Sequence, residues 1–174
     1  MTDFSQLARD RFSARKFDPA REVTDEQIER IIKAGLDAPT AVNNQPFRIW
    51  AFRSDAAREK LLTATKMKFI GDAPVIFAIG SKAEEAWVRP YDEKNFADVD
   101  ASIVATHMML EIHDLGLGST WIGHFDAAKV QELFPQTAGY SLIALLPAAY
   151  MAEDCTPSDR HQLSKPFSEL VEVL

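Results

Sequence analysis

Residues 11–17 read Arg11-Phe12-Ser13-Ala14-Arg15-Lys16-Phe17, and residues 38–47 read Ala38-Pro39-Thr40-Ala41-Val42-Asn43-Asn44-Gln45-Pro46-Phe47. The first segment places two guanidinium forks and a hydroxyl on a short arc. Arginine makes bidentate, charge-assisted bonds to phosphate oxygens, so this arc suits a phosphate. The second segment is rich in amides. Asn43 and Gln45 each carry a donor pair and an acceptor, which match the mixed edge of a flavin pyrimidine ring. An anion clamp together with an amide-reading loop describes a nucleotide-like cofactor site.

Working outward, Phe4, Leu7 and Ala8 predict a short first helix that delivers the clamp. Thr24-Asp25-Glu26-Gln27 reads as a capping box. The helix it opens carries Ile28, Ile31, Ile32 and Leu36 on one face and ends before Pro39. The Thr40–Gln45 loop therefore sits at a helix end, where backbone groups are free to bond a ligand. Phe47 to Phe52 reads as a strand, followed by a helix from Asp55 through Leu62. The apolar run 74–79, ended by Gly80, has the pattern of a strand covered on both faces. Residues 81–97 have no clean period, and their Trp87, Tyr91 and Phe96 suit a loosely packed excursion or a lid.

From Asp100 to Leu115 the pattern predicts a long helix closed by Gly116. Ser119 to Ile122 supplies a third strand, Asp126 caps a helix carrying Val130, Leu133 and Phe134, and Tyr140 to Tyr150 forms a fourth strand interrupted by Pro147. The tail keeps Phe167, Leu170, Val171 and Leu174 apolar and is expected to dock. With crossovers of uneven length and no phosphate-loop glycine pattern, the whole reads as a mixed-sheet α/β sandwich.

The 174 residues fit one domain, and the net charge of −7 disfavours a nucleic-acid partner. The local cluster of Arg9, Arg11, Arg15 and Lys16 stands out against that balance. Cys155 is the single cysteine, so no internal disulfide forms and a reducing, cytoplasmic setting is expected. The N-terminal segment Met1 to Ser5 has an early acid and no long apolar run, unlike a secretory signal. No apolar stretch is long enough for a membrane-spanning helix. Gly116-Leu117-Gly118 fails as a dinucleotide fingerprint, because the third glycine would fall at Trp121. His107, His113, His124 and His161 lack metal-ligand spacing. Asp98 and Asp100 read as acids complementing a helix start, so no metal is expected. Ser13 lacks the companions of a hydrolytic nucleophile.

The two opening segments, Asp98-Val99-Asp100-Ala101-Ser102-Ile103, Leu115-Gly116-Leu117-Gly118-Ser119-Thr120-Trp121-Ile122-Gly123, Gly139-Tyr140 and Lys165-Pro166-Phe167-Ser168-Glu169-Leu170-Val171 follow one another in the order seen in the FMN-dependent nitroreductase family, which the chain resembles over essentially its full length. The resemblance implies a nitroreductase-like three-layer sandwich over residues 1–174, with a mixed, largely antiparallel central sheet flanked by helices. It also implies an intertwined homodimer whose tail adds to the partner's sheet, with FMN sites at the interface. Arg11, Phe12, Ser13, Arg15 and Lys165 are expected at the phosphate, Thr40, Asn43 and Gln45 at the ring, and Trp121, Ile122, Gly123 and His124 near its reactive edge. Three positions depart from the usual pattern: Leu163 replaces a basic residue, Ala149 a glycine, and Phe47 a tryptophan.

The implied activity is ping-pong hydride transfer from NADH or NADPH through FMN to a nitroaromatic, quinone or similar small acceptor. No side chain is assigned as acid or base. The alternatives are a flavin-binding or redox-sensing module, in which the aromatic 81–97 segment fills the substrate space, and a flavin-dependent dehydrogenase or dehalogenase on the same scaffold. Which of Asn43 and Asn44 faces the ring stays open, with Asn43 favoured.

Overall fold

A computed structural model describes residues 3–174; Met1 and Thr2, part of the N-terminal reading, lie outside the described residues. Helix α1 spans Phe4–Asp10 and is capped by Asp3. Helix α2, Asp25–Leu36, opens on both bonds of the predicted capping box. Its core face is narrower than the pattern implied, because Ile28 and Ile31 are buried but Leu36 is 56% exposed. Gly35 takes the core position instead. A Cβ there would lie 2.9 Å from Met108 Cγ, so the glycine lets the long helix α4, Ala97–Asp114, cross closely.

Strands β1 (Phe47–Phe52), β2 (Val75–Ser81) and β3 (Ser141–Ala148) form an antiparallel sheet in the order β1-β2-β3, pairing Phe47 with Ser81 and Val75 with Ala148. Every residue of β2 is buried. Because side chains alternate along a strand, Val75, Phe77 and Ile79 join a core with Ile28 and Ile31 of α2 and Val104 and Met108 of α4. Ile76 and Ala78 face the opposite core, with Leu61 of α3 (Asp55–Leu62), Ile70, and Val130 of α5 (Ala127–Leu133). The expected three layers follow from this division.

Ser119–Ile122 is not the continuous strand that was expected. Gly118 bridges Ala149 and Ile122 bridges Leu145 in one antiparallel register, and Ser13 bridges Ser119 in parallel on the far side. In that register Thr120 stands opposite Pro147, which has no N–H to complete the pair. Pro147 thus leaves β3 uninterrupted against β2, where it pairs with Ile76, and breaks the ladder on the other edge instead. At the end of α4, Gly116 adopts a φ of 74°, the left-handed cap its position suggested.

The 81–97 segment is also more ordered than expected. Val88 bridges Asn95, Trp87 packs edge-on to Phe96 at 5.1 Å, and the Arg89 and Lys94 cations each lie 5.6 Å from the Phe96 ring. Tyr91 at the tip is 94% exposed. Of the three aromatic residues that periodicity could not place, Trp87 and Phe96 pack on one another across a tight turn and Tyr91 does not. The tail, with helix α6 at Phe167–Leu170, leaves Leu163, Phe167, Leu170 and Leu174 exposed, so the predicted docking does not occur within this chain.

Candidate functional site

After α1 the chain runs extended from Arg11 to Phe17, fixed by the Ser13–Ser119 bridge, an Ala14 N–H to Ser119 carbonyl bond of 2.9 Å, and a Phe17–Met151 bridge. Ala14 and Phe17 are buried while Arg15 and Lys16 are exposed. Gly118 permits this close approach, since a Cβ there would come within 2.5 Å of Met151 Cγ and 2.8 Å of Ala14 Cβ. The Arg15 guanidinium donates to the Ser13 carbonyl at 3.1 Å, which folds that side chain back along the segment. Lys16 is committed to Asp154 at 2.5 Å; their hydrogen bond holds the lysine above and the carboxyl below their ordinary pKa ranges.

Among the described residues the side chains of Arg11 and Ser13 have no hydrogen-bond partner, and neither does the buried Ser119 Oγ. A cavity of about 190 Å³ lies against Ser13, Arg15, Cys155 and Ser158. Phe12 meets His161 edge-on at 6.2 Å.

On the same edge of the sheet, Trp121 is half-exposed and Ile122 is buried. The peptide N–H groups of Gly123 and His124 have no partner among the described residues. A Cβ at Gly123 would meet nothing within 4 Å, so no contact inside this chain demands the glycine. The open space leaves its backbone approachable from outside. The His124 carbonyl accepts from the Thr65 hydroxyl at 2.8 Å. Beside it is a cavity of about 390 Å³ lined by Thr65, Lys66, Lys68, His124, Asp126 and Lys129. The sequence reading missed these lysines, although Lys66-Met67-Lys68 was visible as a basic pair just after α3. Lys68 donates to the Leu62 and Thr65 carbonyls and Lys129 to that of Thr63, so two of the three also close the end of α3.

The amide loop lies elsewhere. Asn44 donates its side-chain amide to the Glu85 carbonyl at 3.2 Å, whereas the amides of Asn43 and Gln45 have no partner among the described residues. Of the two asparagines, Asn43 is thus the one whose side-chain amide is uncommitted. The Thr40 hydroxyl accepts from the Gln45 N–H at 3.1 Å, which closes the loop on itself.

Sheet geometry separates the two halves. Ser13 is reached from β1 by crossing β2, β3 and the Gly118–Ile122 segment, four interstrand steps of ~4.8 Å. Ser13 is also level with Ala148, whereas Phe47, beside the loop, is level with Ser141; that offset adds roughly 24 Å along the strands. Clamp and amide loop thus lie at opposite corners of the sheet, roughly 30 Å apart, well beyond what one FMN spans. The structure brings Ser13 and Arg15 together with the edge that carries Gly123, and does not bring Asn43 or Gln45 to them. Lys165 is exposed, with Glu169 at 3.8 Å as its charged neighbour.

Among the described residues there is no group of three or more His, Cys, Asp or Glu placed to hold a metal ion, and no helix long and apolar enough to cross a membrane.

The nitroreductase family model matches residues 8–70 and 63–150. The fold superposes on a nitroreductase family protein from Clostridium difficile 630 with a TM-score of 0.88 at 32% identity, over 98% of each chain. It superposes on a Desulfovibrio desulfuricans protein crystallised in complex with FMN with a TM-score of 0.82 at 27% identity, over 98% of this chain and 96% of that one. A candidate NADH dehydrogenase/NAD(P)H nitroreductase of Methanothermobacter thermautotrophicus is 28% identical over 94% of this chain and 87% of its own length.

Proposed function

The chain belongs to the nitroreductase family, and from that premise we propose that it binds FMN between two copies of itself and works as an NAD(P)H-dependent oxidoreductase on a small nitroaromatic or quinone acceptor. What carries the reading is a line of unpartnered polar groups along one sheet edge: Arg11, Ser13, the Ser119 hydroxyl, and the Gly123 and His124 N–H groups. A phosphate at one end and a flavin ring at the other would satisfy them. The FMN complex of the Desulfovibrio relative supports the cofactor, and the name of the Methanothermobacter relative supports the donor.

When bound, FMN supplies the redox chemistry, accepting hydride from NAD(P)H and delivering it to the acceptor. The protein's part is positional. Arg11, Ser13 and Arg15 bond the phosphate, Phe12 walls it, and Trp121 and Ile122 carry the Gly123–His124 backbone toward the reactive edge. Thr40, Asn43 and Gln45 come from the second copy, a placement supported by the roughly 30 Å separation within one chain, and Lys165 arrives on the exposed tail. An apolar groove of about 630 Å³ along α4, lined by Phe4, Val99, Ile103 and Leu110, supports association between copies. The setting proposed is the reducing cytoplasm, with residues 1–174 acting as one FMN-binding domain.

The test is the absorption spectrum of the purified protein, before and after anaerobic NADH or NADPH. Oxidised-flavin bands that bleach on addition are expected, followed by steady turnover with a nitroaromatic or quinone. A colourless protein that cannot be loaded with FMN would overturn the reading.

A further inference from the structure

The amide loop is strained. Val42, Asn43 and Gln45 have φ values of 47°, 58° and 51°, with Asn44 between them at −70°; the left-handed values are costly for non-glycine residues and most of all for a β-branched valine. Such a shape persists only where the surroundings over-determine it. Most of the bonds available are local or exposed: Asn43 N–H to the Thr40 carbonyl, Asn44 N–H to the Ala41 carbonyl, Gln45 N–H to the Thr40 hydroxyl and the Asn44 side-chain amide to the Glu85 carbonyl, while the exit beyond Gln45 is held by Lys82 N–H to the Pro46 carbonyl. At its start, the bond from the Ala41 N–H to Asp100 Oδ1 at 3.0 Å ties the loop to the buried face of α4.

Asp100 is unusual for an acid in a first helical turn. It is 1% exposed, and its Oδ2, also withdrawn from water, has no partner. It does not cap its own helix, since the residue before α4 is Phe96 and no side chain caps there. The helix start favours an acid at this position. Burying a carboxyl with half its acceptor capacity unused nevertheless costs stability. Departures of this kind are expected where a residue serves a site.

We propose that Asp100 is the positioning residue of the amide loop: through Ala41 it holds the left-handed conformations at Val42, Asn43 and Gln45, so the ring-reading groups are set before any cofactor arrives. The proposal rests on the reading of this loop as the flavin-ring contact. Pre-forming the loop removes an ordering cost from binding. The effect is therefore specific to the ring and leaves the phosphate clamp untouched.

The experiment measures amide hydrogen exchange over residues 38–47 in flavin-free protein, and titrates FMN and lumiflavin, which lacks the phosphate. Wild type is compared with Asp100→Ala, Asp100→Asn and Ala41→Pro. Ala41→Pro deletes the same bond from the loop side at the start of a short helical turn, where proline's φ is tolerated, and it carries the test if Asp100→Ala does not fold. Asp100→Ala and Ala41→Pro are expected to speed exchange in the loop, but not in β2, and to weaken FMN and lumiflavin by similar factors of about ten. Asp100→Asn, which keeps an acceptor oxygen, should return both to within about threefold of wild type. Unchanged loop exchange, or weakened FMN with unchanged lumiflavin, would overturn the proposal. If wild type takes up no flavin, the reading of the site fails, while the exchange data still decide whether Asp100 sets the loop.

Discussion

Pairing an Arg11→Ala/Arg15→Ala variant with an Asn43→Ala/Gln45→Ala variant tests whether one chain can build a whole flavin site. The clamp and the amide loop lie roughly 30 Å apart across the corners of the sheet, so in the proposed dimer each site would take its clamp from one copy and its loop from the other. Each arginine bond to a phosphate contributes about 1.5–3 kcal/mol and each neutral amide bond about 0.5–1.5 kcal/mol. The arginine variant should therefore lose at least a hundredfold in FMN affinity and the amide variant somewhat less. At a flavin concentration between the wild-type and variant dissociation constants, neither variant alone is coloured.

Mixed and reassociated in equal amounts, half of the dimers are mixed. In a two-fold dimer each of these carries one site with both halves damaged and one with both intact, so about a quarter of all sites recover. The assay is flavin absorbance per chain after gel filtration, with two affinity tags to isolate the mixed dimer. A mixed dimer that binds no more flavin than its parents would refute the shared site.

Three further outcomes are expected. Arg15→Ala alone should weaken FMN about tenfold or more by fluorescence titration while leaving lumiflavin binding unchanged. Gly118→Ala drives a methyl into Ala14 and Met151, so it should cost about 1–3 kcal/mol of stability in denaturant titration and also lower FMN affinity by shifting the clamp. His113 is held below its ordinary pKa of 6.5 chiefly by burial, with Asp10 opposing. Its folded pKa being the lower, the unfolded chain takes up the proton first as pH falls below 6.5. Stability should accordingly decline on acidification through that range, and His113→Gln should flatten this part of a melting-temperature profile between pH 7.5 and 5.

Local patterns were legible because they encode local physics. The Thr24–Gln27 capping box, the Asp126 cap, the Gly116 terminus and the doubly covered β2 all follow from hydrogen-bond satisfaction or side-chain period within a few residues. The clamp and the amide loop were legible as chemistry, since Arg, Ser, Asn and Gln declare what they can bond. Features that depend on a distant neighbour were not. Leu36 fits the helical face, yet Gly35 takes the core position because α4 approaches there. Pro147 reads as a strand breaker, and which of its two neighbours loses the bond depends on where its missing N–H points.

Asp100 shows the limit most plainly. As one of two acids at a helix start it carries no sign that its partner is a peptide N–H 59 residues earlier. The same holds for the distance between clamp and loop. The residue types in these motifs are what point to the proposed cofactor site. Strand order and register, which arise from packing β2 between two helical layers, place the two halves at opposite corners of one chain.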